Sequence, residues 1–323
     1  MTKPKLVAIG AAVQDVFLSH SEEFKPVSDK AAHEIFMKLE MGEKADVNKI
    51  HFTTGGGATN AAVTFSRQGL DSQFMGTIAD DPAGHAVLKD LDDEGVDATA
   101  ISYSKSYNTG YSVILLAPGG ERTILTYRGA STHYHIDNFD LDGTDADWIY
   151  VSSLAGSMDV LDKIFHQAKG LGIKVFFNPG KGELAKLSEL RPLLEDVDVL
   201  SVNKEEAGKI VSGEDAEELA RRLSNIVPVA IVSDGPNGVV ATDREVIVRA
   251  GMYEDVPVID RTGAGDAFGS GFLSQWSQGK SLKDSIVFGS ANSTSVVGKV
   301  GAKTAILQEG AKLHDMPINE KRF

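Results

Sequence analysis

Cysteine is missing altogether from this chain of 323 residues, which excludes disulfides, thiolate nucleophiles and Cys-ligated zinc or iron–sulfur sites. Such a chain suits the reducing cytosol, and a cytoplasmic location is expected. Also missing is any apolar run approaching the ~18 residues that a membrane span needs. The opening Met1-Thr2-Lys3-Pro4-Lys5-Leu6 leads straight into a short apolar strand rather than a signal-peptide core, so a soluble, unprocessed chain is expected. Basic residues are in short supply: 32 Lys+Arg stand against 46 Asp+Glu, a formal charge of −14. No Lys/Arg cluster reverses that field locally, so nucleic acid and anionic membrane are unfavourable partners. An anionic substrate would need a local site built from backbone N–H groups and a divalent cation.

What is present is the composition of an ordinary globular protein, 42% hydrophobic and 24% charged. Its length fits one large α/β domain spanning 1–323 with a single core. From about residue 145, apolar strand-like runs at 148–151, 175–177, 197–202 and 229–232 alternate with helical patterns near 157–170, 183–194, 204–211 and 215–225. That alternation predicts right-handed crossovers and a parallel sheet. A first strand at 6–9 and helices near 57–69 and 83–94 extend the sheet to the N-terminal half. Two stretches, 11–54 and 98–128, break the rhythm. In the second, 111–116 and 122–127 flank Pro118-Gly119-Gly120 as a hairpin would, so a small β layer inserted into the α/β body is expected. The polar segment 20–47 carries no strand period, and 31–39 allows part of a helix.

The sharpest local signal is Val258-Ile259-Asp260-Arg261-Thr262-Gly263-Ala264-Gly265-Asp266-Ala267-Phe268-Gly269, a strand end meeting glycines and then a helix. A helix starting there aims free N–H groups and a positive dipole end at whatever lies above, a ready phosphate site. Asp266 would repel phosphate unless its work is to take a proton from an attacking hydroxyl. The same loop also reads as a glycine-rich turn with an acidic first-turn residue. A dinucleotide loop is disfavoured, because Phe268 stands where the third glycine belongs. Asn203 and Glu206, at the end of a parallel strand, form a capping-box pattern and are also oxygen donors suited to Mg²⁺. Ser233-Asp234-Gly235-Pro236-Asn237-Gly238 reads as a turn between strands. Near the N-terminus, Ala11 to Asp15 follows strand one, and Gly55-Gly56-Gly57 before Asn60 permits close backbone contact with a small polyol.

Together and in this order, these residues resemble the ribokinase-like carbohydrate kinases, the PfkB family, from Leu6 to about Ile306. The motifs are Gly10 to Asp15, Gly55-Gly56-x-x-x-Asn60, Gly76-x-x-x-Asp80-x-x-Gly84, Asn203-x-x-Glu206, Ser233-x-Gly235-x-x-Gly238, Asp260-x-Thr262-Gly263-Ala264-Gly265-Asp266, and Gly301-Ala302 after Asn292. The resemblance implies a three-layer α/β/α ribokinase-like fold, with a mainly parallel central sheet and a small β lid over the acceptor. It implies that Asp266 deprotonates the acceptor hydroxyl while the Gly263, Ala264 and Gly265 loop forms an anion hole with the Asp266 N–H. Asn203, Ser233, Gly235, Gly238, Thr262 and Asn292 would border ATP. Asn203 and Glu206 would organise Mg²⁺, mainly through water, and Asp15, Gly56 and Asn60 would hold the acceptor's hydroxyls. Relatives often bind a monovalent cation near the anion hole, which makes K⁺ a candidate beside Asp260 and Thr262. A homodimer through the lid is compatible with this architecture.

Phosphoryl transfer depends on positioning and electrostatics more than on covalent catalysis, so few side chains suffice. No P-loop pattern occurs. Arg261 stands where many relatives carry a small or hydroxyl residue, and either nucleotide phosphates or solvent would receive it. His133 and His135 read as lid or surface histidines. Arg122 and Arg128 flank the hairpin, where an acidic acceptor or solvent would meet them. The acceptor is left as a sugar or ribonucleoside bearing a hydroxymethyl group, with an adenosine-like nucleoside as an alternative. A non-catalytic sensor or a vitamin kinase on the same fold is a weaker rival, because the Asp266 loop and the Gly55-Gly56…Asn60 element are both retained.

Overall fold

Leu6 and Ala8 pack on one face of the central sheet, while Val7 and Ile9 pack on the other, and all four are fully buried. A strand buried on both faces must be apolar at every position, which is why the sheet's core strands read as continuous hydrophobic runs. This is a computed structural model in which residues 3–19, 21–29, 34–117, 121–251, 256–313 and 315–323 are described.

The chain runs through β1 (Lys5–Ile9), β2 (Val13–Ser19), β3 (Pro26–Asp29), β4 (Glu34–Met37) and β5 (Lys49–Gly55). It continues through α1 (Gly57–Arg67), β6 (Asp71–Ala79), α2 (Pro82–Asp93), β7 (Asp97–Ser104), β8 (Gly110–Leu116) and β9 (Arg122–Tyr127). Next come β10 (Trp148–Ser152), α3 (Met158–Leu171), β11 (Lys174–Asn178), α4 (Lys181–Leu184), α5 (Leu187–Leu193), β12 (Val199–Asn203), α6 (Lys204–Ile210), α7 (Ala216–Leu223) and β13 (Val229–Ser233). The last elements are β14 (Val239–Thr242), β15 (Val246–Ala250), α8 (Ala264–Trp276), α9 (Leu282–Val297) and β16 (Ile318–Arg322).

The large sheet has the order β16-β15-β14-β13-β12-β11-β10-β1-β6-β7. Pairing is parallel from β13 across to β7, and β14, β15 and β16 add antiparallel strands at one edge. Helices α3, α5, α6 and α7 bury their apolar stripes against one face, and α1, α2, α8 and α9 against the other. The result is the expected three-layer α/β/α body.

A second sheet, β5-β2-β8-β9, stands apart as a lid. Its strands β8 and β9 pair antiparallel as the sequence suggests, while the Pro118–Gly120 turn between them lies outside the described residues. Two expectations are corrected. Residues 34–37 form a strand paired with 26–29, not part of a helix, because Val27 and Phe36 lie opposite each other in an antiparallel ladder; 30–33 lie outside the described residues. Residues 97–104 belong to the edge of the large sheet, since α2 returns the chain for parallel pairing with β6, so the second insertion starts only after Ser104.

The C-terminal segment is tied to α1 by Arg67. Its guanidinium forks onto Glu94, with Nε and Nη2 donating at 2.8 and 2.6 Å, and Nη1 donates to the carbonyls of Lys303 and Ile306 at 3.0 Å each. Such a planar fork cannot be replaced by a point charge or an apolar group. Arg67→Met should therefore lower unfolding stability by about 2–4 kcal/mol, the range for stranding a charge and several buried acceptors. Urea denaturation measures it, and a loss below about 0.5 kcal/mol would show that solvent satisfies those groups.

Candidate active site

Strand order reverses between β1 and β10, since the chain builds outward from β1 through β6 in one direction and from β10 in the other. The crevice beyond the carboxyl ends at such a switch point is where open α/β sheets bind ligands. Ile9 and Ser152 end those two strands, and the loops that follow wall two adjoining cavities.

The first cavity, about 460 Å³, is lined by Asp15, Gly56, Asn60, Thr262, Gly263 and Asp266, with the lid above. The second, about 640 Å³, is lined by Asn203, Ser233, Gly235, Gly238, Ala264 and Gly265. Glu206 and Asn178 line both, so the cavities meet there. Residues 263–266 form the partition, presenting Gly263 and Asp266 to one side and Ala264 and Gly265 to the other.

Two backbone positions make the partition possible. Gly263 caps α8 with φ 77°, and a Cβ there would lie 2.5 Å from Ala302 Cβ. Gly56 caps α1 with φ 102°, and a Cβ there would lie 2.3 Å from the Ala11 carbonyl oxygen. Both require glycine on conformation and on space. The Ala264 N–H turns back to the Arg261 carbonyl at 3.3 Å, whereas the N–H groups of Gly265 and Asp266 have no partner among the described residues. Free N–H groups at the positive end of a 13-residue helix are suited to an anion lying between the cavities.

Asp266 accepts a 2.9 Å hydrogen bond from Asn60 Nδ2. Burial pushes its pKa up, and the Asn60 bond opposes that shift. The other amide atom, Asn60 Oδ1, is buried with no hydrogen-bond partner, and Asn60 lines the first cavity. Asp15 is 4% exposed; burial raises its pKa, the Ser112 hydroxyl and the Lys303 ammonium oppose this, and Asp260 adds to it. Lys303, 4% exposed, donates to Thr54 Oγ1 at 2.7 Å and Asp90 Oδ2 at 2.8 Å. Its own pKa is pushed down by burial, against the pull of Asp90.

Asn203 and Glu206 form a complete capping box. The Asn203 N–H donates to Glu206 Oε2 and the Glu206 N–H to Asn203 Oδ1, both at 2.9 Å. Burial raises the Glu206 pKa, opposed first by the Asn203 N–H. Its second carboxylate oxygen has no protein partner among the described residues. The capping reading and the ligand reading therefore coexist.

Asn292 is a correction. It is fully buried, donating to the Ala267 carbonyl at 2.8 Å and accepting from the Leu307 N–H at 2.9 Å, so both ends of its amide are committed to holding α8, α9 and the C-terminal segment together. Its neighbours Ser290, Ser293 and Thr294 line the second cavity instead. Asp260, 2% exposed, accepts from the Thr262 N–H at 3.0 Å, Thr262 Oγ1 at 2.7 Å and the Gly301 N–H at 3.1 Å. Arg261 lines the second cavity and Arg128 the first. His133 stacks on Tyr107, their ring centroids 3.6 Å apart, and His135 lies beside Asp137. Reading the sequence alone missed Ser112, Ile114, Ile124 and Thr126 of the lid and Ser152 and Asn178 of the body, all of which line the first cavity. They carry no motif and are found only once strand register fixes which alternate residues face inward.

A helix N-terminus between two cavities, with a carboxylate on one side and glycine-lined space on the other, is an arrangement suited to moving a group from an anionic donor. Residues 24–309 match the family described as pfkB family carbohydrate kinase, and the chain belongs to that family. It is 27% identical over 274 residues to a ribokinase of Haemophilus influenzae, covering 82% of this chain and 88% of that one. It is 31% identical over 236 residues to a fructokinase of Escherichia coli, covering 68% of this chain and 75% of that one. Among solved structures, a nucleoside kinase of Methanocaldococcus jannaschii superposes with TM-score 0.76 at 20% identity, covering 95% of this chain and 96% of that one. Arabidopsis thaliana ribokinase complexed with ribose and ATP superposes with TM-score 0.74 at 20% identity over 95% and 96% of the two chains.

The Asn60–Asp266 bond generates a prediction. Asn60→Ala removes the interaction that favours the ionised carboxylate, so the Asp266 pKa rises further above its ordinary value. The acid limb of the kcat/KM profile should move to higher pH, with activity fading earlier as pH falls, and the acceptor KM should rise at least ~10-fold. An unchanged acid limb would show that Asn60 does not act on Asp266.

Proposed function

We propose that the chain transfers the γ-phosphoryl group of ATP to a hydroxymethyl group of a sugar or ribonucleoside, with Asp266 as the general base. The observation that carries this reading is the partition: one short loop presents a desolvated carboxylate to one cavity and adjoins free helix N–H groups facing the donor. ATP occupies the larger cavity bordered by Asn203, Ser233, Gly235 and Gly238, with Arg261 within reach of its phosphates. The acceptor lies in the smaller one, its hydroxyls held by Asp15 and Asn60 and by the backbone at Gly56. Asp266 takes the proton of the attacking oxygen, and the Gly265 and Asp266 N–H groups receive the negative charge that develops on the phosphoryl oxygens.

The residues present suit Mg²⁺: the unpaired Glu206 oxygen and the Asn203 side chain are hard donors where the cavities meet. Bound there, mostly through water, the ion would neutralise phosphate charge. Val13, Ile114 and Ile124 give the acceptor cavity an apolar lid wall, which favours keeping ribonucleosides within the acceptor class. Exposed Ile50, Phe52, Leu125 and Tyr127 on lid strands support a homodimer through the lid. No helix among the described residues is long and apolar enough to cross a membrane, and a cytoplasmic location is part of this reading.

The test is ADP release by the purified protein from Mg-ATP against neutral sugars and nucleosides. Binding of ATP and acceptor without turnover would favour a sensor. Asp266→Asn should lower kcat at least ~10²-fold while ATP affinity holds. Its stability effect has a definite sign. A carboxylate whose folded pKa is raised contributes stability that is full below the unfolded value of 3.8 and lost as pH rises through the folded pKa. At pH 7 the asparagine variant should therefore melt no lower than the parent. Near-normal turnover in a folded variant would sink the assignment.

Glu206→Gln keeps the capping geometry but removes the charge. It should raise the Mg²⁺ concentration for half-maximal activity at least ~10-fold while shifting Tm little. An unchanged Mg²⁺ dependence would leave Glu206 as a cap alone.

A further inference from the structure

The Asp260 carboxylate is the most enclosed acid beside the partition, and both of its oxygens are engaged. Oδ1 takes the Thr262 N–H and hydroxyl, and Oδ2 takes the Gly301 N–H. Thr262 immediately precedes Gly263, and Gly301 immediately precedes the Ala302 against which Gly263 packs. Asp260 thus pins together the two backbone segments that shape the anion site. Those contacts are neutral donors, and Asp15, itself a buried carboxylate, lies close enough for the two charges to repel. A buried carboxylate in such a field calls for a cation.

The cation at hand comes from the lid. Arg122 Nε lies 3.8 Å from Asp260 Oδ1, and this Nε is buried without a hydrogen-bond partner. Arg122 begins β9, and alternation puts it on the same face of that strand as Ile124 and Thr126, which line the acceptor cavity. A monovalent cation at Asp260 would meet a guanidinium of like charge beside Oδ1, an oxygen that already takes two hydrogen bonds, so the residues present do not fit K⁺ there.

We propose that Arg122 is a positioning residue that supplies the positive charge beside Asp260 in place of a bound monovalent cation, and so couples lid closure to the geometry of the anion site. The 3.8 Å separation is an ion pair but exceeds hydrogen-bond length. A lid movement of ~1 Å brings Nε within bonding distance, and an acceptor touching Ile124 and Thr126 draws the same strand inward. The acceptor then helps fix the loop that receives the phosphoryl group before transfer begins.

This inference rests on the phosphoryl-transfer reading, and its experiment separates the two. Turnover is measured at constant ionic strength in KCl, NaCl or choline chloride. The parent should vary by less than about twofold, because its cation is built in. In choline chloride, Arg122→Met should lose at least ~10-fold in kcat with the ATP KM within about threefold, and K⁺ or guanidinium should restore at least about threefold. Arg122→Lys should retain most activity. A parent that needs K⁺ by ~10-fold or more, or an Arg122→Met variant equal to the parent in choline chloride, overturns the proposal. Pairing is read independently of turnover by a double-mutant cycle of Arg122→Met and Asp260→Asn, followed by urea unfolding in choline chloride. Coupling between the two substitutions supports the pair, and additivity overturns it. If the parent turns over no acceptor, the kinase reading fails while the cycle still decides the pair.

Discussion

The packing of Gly263 against Ala302 is the constraint on which the rest of the site depends. With its left-handed φ and no room for a side chain, this contact fixes where α8 starts and therefore where its unpaired N–H groups point. Had α8 begun one residue earlier or later, Asp266 would face another direction, because helical side chains rotate by about 100° per residue. Asn292 and Arg67 hold Ala267, Lys303, Ile306 and Leu307 in place from behind, so a buried polar framework braces a short glycine loop.

That framework carries an electrostatic burden that is local in purpose. The pKa values of Asp15, Glu206 and Asp266 are all raised by burial, and that of Lys303 is lowered by the same cause. Each is a group whose charged form is less favourable in the folded state than in water, so none is there for stability. A carboxylate short of solvation is a better proton acceptor and a more demanding hydrogen-bond partner, which is what the proposed reaction asks of Asp266 and Asp15. The stacked Tyr150 and Phe176 rings and the large apolar clusters on both faces of the sheet offset this burden elsewhere.

Much of this was legible in the sequence, and the parts that were not share a cause. The parallel strands and their helices could be read because burial on both faces imposes continuous apolar runs, and the glycine loops because left-handed or crowded backbone tolerates little else. Strand β16 escaped because an antiparallel edge strand whose residues are mostly polar and exposed, Ile318–Arg322, carries a weak signal. Asn292 was misplaced because a motif position gives proximity to a site but not the direction of an amide. Only the geometry shows both of its ends committed to backbone. Asn60 was read as a substrate contact, and its hydrogen bond to Asp266, 206 residues away in sequence, was not foreseen. No local pattern encodes a bond between two helix first turns brought together by the sheet.

The same reasoning explains why the acceptor itself stays unspecified while the chemistry does not. Phosphoryl transfer makes demands on backbone, and backbone demands leave glycines in fixed order. On the proposed reading, acceptor choice would make demands on side-chain volume at Ser112, Ile114, Ile124 and Thr126, which any β-sheet surface can satisfy in many ways. Discrimination at an apolar wall is worth only about 1–3 kcal/mol per methylene, whereas a polar floor that requires a hydroxyl rejects its absence far more strongly. The division of labour in this cavity follows from that asymmetry. On the proposed reading, Asp15 on lid strand β2 and Asn60 in the first turn of α1 would demand a polyol edge from any acceptor, and the apolar side chains of the lid would then sort among the molecules that carry one.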